Sequence, residues 1–88
     1  MHEASIQIQN QYGLHARPAA EFVKLANTFR AEIRVRKDEL EVNGKSIMGV
    51  MMLAAEYGCE ITIQAKGEDA EPALEQLAAL VQRRFGED

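Results

Sequence analysis

Four segments of the chain alternate polar and apolar residues, which is the pattern of a β-strand with one buried face. They cover residues 5–9, 31–36, 39–43 and 60–65. The first segment has Ile6 and Ile8 on one face, which the preceding Ala4 shares; the second has Ala31, Ile33 and Val35, and the third has Leu40 and Val42. Lys37-Asp38-Glu39 is the expected turn between the second and third strands. Asn43-Gly44 is a stronger hairpin signal, but helical spacing follows it, so this pair is expected to lead into a helix.

Three further segments repeat apolar residues every three or four positions, as amphipathic helices do. The first carries Ala19, Phe22, Val23 and Ala26 and ends near Asn27-Thr28. The second begins after the N-cap Ser46, has the apolar stripe Ile47, Val50, Met51 and Ala54, and places Gly58 just after its end. The third follows a turn at residues 67–69, holds Pro72 in its first turn, and runs to about Arg84 along Ala70, Ala73, Leu74, Leu77 and Val81.

The predicted order of elements is β-α-β-β-α-β-α. Because each strand has one apolar face, the helices must cover one side of a shared sheet. This favours the α+β class, with a four-stranded, mainly antiparallel sheet and three helices on one face. The 88 residues are expected to form a single domain, residues 1–88, and a hydrophobic content of 47% is sufficient for one core.

Composition and charge argue against several classes of protein. A net charge of −4, with both signs interspersed, is not typical of a nucleic-acid module. Cys59 is the single cysteine, which excludes an intrachain disulfide and fits a reducing cytoplasm; we expect a buried structural thiol. Neither a signal peptide nor a membrane span is predicted. His2 is expected to be solvated, and without acidic or cysteine clusters near either histidine we predict no metal and no cofactor. The acidic residues around Asp69 are expected to complement a helix dipole.

The stretch Gly13-Leu14-His15-Ala16-Arg17-Pro18-Ala19-Ala20 lies where the first strand gives way to the first helix. His15 would lie at or just before the N-cap, where unpaired N–H groups and the helix dipole favour an anion. The positive helix end disfavours the imidazolium, so the ring should stay neutral and nucleophilic. The N–H groups of Ala16 and Arg17 would meet phosphoryl oxygens, and the Arg17 guanidinium would stabilise their charge. Pro18 is expected to make Arg17 an irregular helix start. Taken alone, however, a histidine before a helix is more often an inert cap or loop residue.

Two motifs together carry a resemblance to a known family. Gly13–Ala19 resembles the active-site signature of HPr, the histidine-containing phosphocarrier of the bacterial phosphoenolpyruvate–sugar phosphotransferase system, and Lys45–Met51 resembles its second signature. The resemblance implies an open-faced β-sandwich in which phosphorylated enzyme I transfers a phosphoryl group to Nδ1 of His15. His15 would then pass the group to enzyme IIA domains of sugar transporters. It also implies a stoichiometric carrier rather than an enzyme, and we expect a monomer.

The second signature surrounds Ser46, which in many family members is phosphorylated by an ATP-dependent kinase. The resemblance therefore leaves an alternative open: a regulatory protein that acts through Ser46 with a serine kinase/phosphorylase and a catabolite-control regulator. A plain N-cap explains Ser46 equally well. A regulatory class of the family lacks the active histidine, and His15 argues against that class. A small RNA-binding module is a weaker third reading, which the acidic balance disfavours.

Methionines are concentrated in the second predicted helix. Met48 and Met52 share a helix face apart from the core stripe, and flexible thioethers suit a surface that must bind several partners. We therefore expect Met48 and Met52 to dock partner proteins, with Ile47 as a further candidate that also fits the core. Tyr12 stands where many family members carry a small polar residue, and it is close enough to His15 to affect the orientation of its ring.

Overall fold

The predicted order of strands and helices is confirmed. The computed structural model describes residues 2–87. Its elements, in chain order, are β1 (His2–Gln7), α1 (Ala16–Ala26), β2 (Glu32–Lys37), β3 (Leu40–Asn43), α2 (Ile47–Met52), β4 (Glu60–Lys66) and α3 (Ala70–Gln82), and a 3₁₀ turn follows at Arg84–Gly86.

Within these residues the four strands form one sheet in the order β1-β4-β2-β3, and every neighbouring pair is antiparallel. The register places Val35 opposite Ile63 and Ile6 opposite Ile61. The apolar side chains of this face are buried against the three helices, with Phe22 of α1 and Leu77 of α3 fully enclosed. The opposite face carries polar pairs such as Ser5 and Thr62, whose hydroxyls are 2.9 Å apart. The fold is therefore the expected open-faced sandwich.

Four details of the strands and of the third helix differ from expectation. β1 begins at His2, so this histidine is half-buried in a strand rather than solvated. Cys59 is half-buried, not buried. Leu40 is exposed because it begins β3, the short strand at one edge of the sheet. α3 ends at Gln82, two residues early, and the chain then turns so that Phe85 is buried.

The second helix is shorter than its apolar pattern predicts. The prediction that Ile47, Met51 and Ala54 belong to a buried apolar stripe is wrong, since all three residues are exposed. α2 has only six residues, fewer than two helical turns, so only a narrow part of its surface faces the core. The buried side chains there are Val50 and Leu53, which directly follows the helix. Ala54 then adopts a left-handed conformation (φ 50°), which ends the helix well before Gly58.

Asp69 joins the start of α3 to the two residues that precede β2. It stands at the N-cap position of α3 but makes no side-chain cap there. Its carboxylate instead accepts hydrogen bonds from the backbone N–H groups of Arg30 (2.9 Å) and Ala31 (2.8 Å). The bond from Arg30 is the main cause that holds the pKa of the Asp69 carboxyl below its ordinary value of 3.8, and the bond from Ala31 adds to it while desolvation opposes both. The expectation of a simple dipole interaction is thus replaced by a specific connection between two elements.

An Asp69→Asn variant is expected to be less stable than the parent protein near neutral pH. A carboxyl whose pKa is lowered by folding contributes stability above its unfolded pKa, and loses it as the pH falls through the lowered folded value. The difference in unfolding free energy between parent and variant should therefore shrink on acidification. Urea unfolding at neutral and acid pH measures it. Asp38→Asn, the same charge change at an exposed turn residue, is the control; an equal effect in both variants would contradict the role of Asp69.

Candidate functional site

The loop before α1 is held from both sides. Asn10, which is fully buried, accepts a hydrogen bond from Gly13 N at its backbone oxygen (3.1 Å), and its side-chain Nδ2 donates to Gly13 O (2.7 Å). Gly13 has φ 66°, a conformation that favours glycine. Leu14 N then donates to Ala55 O (2.9 Å), and the Leu14 side chain is buried. This turn fixes the direction in which the chain enters α1.

His15 is the N-cap residue of α1, as expected. Its backbone is extended (φ −75°, ψ −174°), its carbonyl accepts from Ala19 N (2.9 Å), and its side chain makes no capping bond. The ring is therefore free of the helix backbone, and 39% of the side chain is exposed. A side chain that does not cap its own helix leaves the first-turn N–H groups available to another acceptor.

Helix α1 begins at Ala16, one residue before the irregular start that was expected at Arg17. Ala16 and Arg17 are both within α1, so the expectation that Arg17 marks an irregular start is wrong. Pro18 is in the first turn, where its missing N–H costs no helical hydrogen bond, and it is buried against the core. Ala16 and Arg17 are exposed, so the first turn of the helix lies at the surface.

Glu87 completes the site, and the sequence analysis missed it. Its Oε2 lies 3.0 Å from His15 Nε2 and 2.8 Å from Arg17 Nη1. Its Oε1 accepts from Asn10 Nδ2 (3.0 Å). The carboxylate is only 17% exposed, against 56% for the Arg17 side chain. Residues from the two ends of the described chain thus meet at the start of α1.

The contacts of Glu87 keep its carboxyl ionised. Desolvation raises its pKa, but hydrogen bonds from Asn10, His15 and Arg17 outweigh that effect, so the pKa lies below its ordinary value of 4.5. At neutral pH the site therefore holds one carboxylate that contacts both the Arg17 guanidinium and the His15 imidazole. Tyr12 lies beside them with its ring perpendicular to that of His15, at a centroid distance of 6.1 Å, and is 72% exposed. The Tyr12 ring thus lies on one side of the imidazole in a T-shaped arrangement.

The second predicted site lies on α2, which packs against α1 and β3. Ser46 is the N-cap of α2, and its Oγ accepts from Gly49 N (3.0 Å). Met48 and Met52 are 76% and 67% exposed, and Ile47 is 45% exposed. Ser46 makes only this local side-chain hydrogen bond among residues 2–87, so the structure does not join it to the His15 cluster.

No three His, Cys, Asp or Glu side chains in residues 2–87 are grouped so that they could hold a metal ion. None of the helices in this range is both long enough and apolar enough to cross a membrane.

Comparison with known proteins gives a consistent result. The family model described as "PTS HPr component phosphorylation site" matches residues 2–83. The chain belongs to the HPr family. It is 45% identical over 87 residues to the phosphocarrier protein HPr of Neisseria meningitidis, covering 99% of this chain and 98% of that one. It is 49% identical over 82 residues to the HPr-like protein Crh of Bacillus subtilis, covering 93% and 96%.

Solved structures of the HPr family share the fold closely. A crystal structure of HPr from Thermoanaerobacter tengcongensis matches with a TM-score of 0.96 at 46% identity, covering 100% of this chain and 99% of that one. A crystal structure of an HPr dimer from the same organism matches with a TM-score of 0.80 at 47% identity, covering 99% and 100%. Because both HPr and Crh are close relatives, overall similarity alone does not separate a carrier from a regulator.

Proposed function

We propose that this HPr-family protein is a phosphocarrier of the phosphoenolpyruvate-dependent sugar phosphotransferase system. Phosphorylated enzyme I would transfer a phosphoryl group to His15, and His15 would pass it to enzyme IIA domains. The observation that supports this best is the position of His15: a partly exposed imidazole at the N-terminus of α1, beside the Arg17 guanidinium. Family membership supplies the reaction class.

The geometry suits a group that is received and then released. Ala16 and Arg17 are exposed residues, and their N–H groups would donate hydrogen bonds to phosphoryl oxygens at the positive end of the helix. Arg17 adds charge-assisted hydrogen bonds once it releases Glu87. The site is open to solvent rather than enclosed, so a donor and an acceptor can approach the same ring in turn. We infer a stoichiometric carrier in the cytoplasm, not an enzyme, that works without a bound cofactor and without nucleic acid.

The test is incubation of the protein with phosphoenolpyruvate, Mg²⁺ and a bacterial enzyme I, followed by intact mass measurement before and after mild acid. The expected result is one added phosphate that acid removes, because phosphohistidine is acid-labile and phosphoserine is not. Absence of transfer with enzyme I from several bacteria would overturn the carrier function.

A regulatory function through Ser46 is the second candidate. It is favoured by the 49% identity to Crh, and by the half-exposed position of Ser46 at the start of α2. In this case a serine kinase/phosphorylase and a catabolite-control regulator would be the partners. Acid-stable phosphate on Ser46 after incubation with ATP and such a kinase, without transfer to His15, would favour the regulator over the carrier.

We propose that Met48 and Met52, together with Ile47, form the docking surface for enzyme I and the enzyme IIA domains. All three side chains are exposed on α2, the helix that packs beside α1. An apolar, flexible patch on the helix that packs beside α1 fits a protein with several partners.

A Met48→Ala/Met52→Ala double variant is expected to raise the KM for phosphorylated enzyme I about tenfold, the loss of roughly 1.4 kcal/mol of binding energy. The maximal rate should stay close to that of the parent, since neither residue reaches His15. Steady-state phosphorylation at varied enzyme I concentration measures both constants. Tyr57→Ala, at another exposed apolar residue, serves as the control (68% exposed). An unchanged KM in the double variant would place docking elsewhere.

The expectation of a monomer stays a prediction. The dimeric HPr of Thermoanaerobacter tengcongensis shares this fold and weighs against it. Sedimentation or light scattering at several protein concentrations would decide the oligomeric state.

A further inference from the structure

Glu87 contacts only one of the two nitrogens of the His15 ring. The carboxylate engages Nε2 of the ring, at 3.0 Å from Oε2 and 3.3 Å from Oε1. His15 Nδ1 has no hydrogen-bond partner among residues 2–87. The two nitrogens of the imidazole are therefore in different surroundings, one bound to an anion and the other unbound.

This difference decides where the proton of a neutral ring resides. A neutral imidazole has one N–H donor and one acceptor nitrogen, and an ionised carboxylate can only accept. The hydrogen bond made by one ring nitrogen therefore sets the protonation of the other. Since the carboxylate faces Nε2, the proton is held on Nε2 and the lone pair is left on Nδ1.

We propose, on the basis of the carrier function above, that Glu87 is a positioning residue that holds the His15 proton on Nε2 and thereby presents Nδ1 as the phosphoryl acceptor. Asn10 fixes the carboxylate for this task. It is fully buried, and its Nδ2 donates both to Glu87 Oε1 (3.0 Å) and to Gly13 O (2.7 Å). The carboxylate is thus anchored to the same loop that directs His15.

The burial of Phe85 explains how the segment after α3 brings Glu87 to the site. Phe85 is 3% exposed and has φ 55°, and Arg84 before it has φ 60°. This pair of left-handed residues reverses the chain after α3 and brings Glu87 back over the start of α1. Non-glycine residues rarely adopt this conformation, and the packing of the aromatic ring offsets its cost.

The transfer step follows from this arrangement. The Nδ1 lone pair forms the N–P bond while the bond between phosphorus and the donor atom of phosphorylated enzyme I breaks, and that bonding pair returns to the donor atom. The Nε2 proton stays in place, so the ring becomes a phosphoimidazolium cation. Glu87 then faces that positive charge, and Arg17 exchanges the carboxylate for the phosphoryl oxygens. In the onward transfer the N–P pair returns to Nδ1, and the ring is neutral again.

The test compares Glu87→Ala and Glu87→Gln with Glu75→Ala, the control that removes an exposed glutamate from α3. The first measurement is the ¹⁵N chemical shifts of the His15 ring at a pH where it is neutral. In the parent protein Nδ1 and Nε2 should be widely separated, as in a single tautomer. In Glu87→Ala the difference between the Nδ1 and Nε2 chemical shifts should become smaller, because without the carboxylate the ring exchanges between its two neutral tautomers. Glu87→Gln keeps an acceptor oxygen, so it should restore part of this chemical-shift difference.

The second measurement is the rate of phosphoryl transfer from phosphorylated enzyme I. Glu87→Ala should lower the maximal rate about tenfold, the effect of one lost hydrogen bond to a charged group, and leave the KM for enzyme I unchanged. Glu87→Gln should recover part of that rate. Unchanged ring shifts in Glu87→Ala, or a rate equal to or above that of the parent, would overturn the proposal.

The two proposals fail in different ways. If the parent protein accepts no phosphoryl group, the carrier function fails, while the ring shifts still report whether Glu87 sets the tautomer. If the parent is phosphorylated but Glu87→Ala behaves like Glu75→Ala in both measurements, only the role of Glu87 fails.

Discussion

A His15→Ala variant is expected to acquire no acid-labile phosphate from phosphorylated enzyme I, which is a complete loss of the proposed function. Among the described neighbours of His15 no side chain can replace the ring, since Arg17 and Glu87 are not phosphoryl acceptors of this kind and Tyr12 precedes the helix. The loss should be larger than for any change in the groups around the ring, which lower the rate but leave the nucleophile in place. Intact mass before and after mild acid measures it.

The fold should survive this substitution. The His15 side chain is partly exposed and does not cap α1, so its removal should cost only about 1–2 kcal/mol of unfolding free energy, mainly the lost hydrogen bond to Glu87. His2→Ala, at the other histidine of the chain, is the control and should accept phosphate like the parent protein. Acid-labile phosphate on a folded His15→Ala variant would show that another residue is the acceptor.

The parts of the fold that follow from periodicity were predictable. The strands around Ile33 and Ile63 alternate cleanly, and α1 repeats its apolar residues over nearly three turns, so local pattern and tertiary burial coincide. α2 differs because six residues do not complete two turns. In so short a helix, the burial of Val50 depends on where α1 and β3 stand, which no local pattern contains. The same spacing therefore suggested burial for Met51, which the structure exposes.

The residues of the site likewise fall into those that a local sequence pattern predicts and those that depend on the tertiary fold. His15 and Arg17 were predictable because their roles depend on local backbone geometry at a helix start, which a short motif specifies. Glu87 was not, because 72 residues separate it from His15 and its approach depends on left-handed residues at Arg84 and Phe85. One signal was available: Phe85 is a lone aromatic residue after the last helical repeat, and such a residue favours a chain end that packs back on the core. Asn10 carried no distinguishing signal among the polar residues of its loop.

The turn that directs His15 is the most sensitive point of the loop. Gly13 has φ 66°, and a Cβ at this position would lie 2.2 Å from the Ala55 carbonyl oxygen. That oxygen also accepts the hydrogen bond from Leu14 N, so it cannot withdraw without breaking the contact that anchors the loop. Gly58 offers a matched comparison: its φ is 87°, but nothing lies within 4 Å of an added Cβ.

Gly13→Ala is therefore expected to lose about 2–5 kcal/mol of unfolding free energy, the sum of the left-handed conformation and the steric overlap. Gly58→Ala should lose only the conformational part, about 1–2 kcal/mol. Urea unfolding of the two variants separates these contributions. Because the displaced loop carries both His15 and Asn10, Gly13→Ala should also slow phosphoryl acceptance, while Gly58→Ala should not. Equal losses of stability in the two variants would mean that the loop moves away from Ala55 without cost, and His15 would then owe its position to α1 alone.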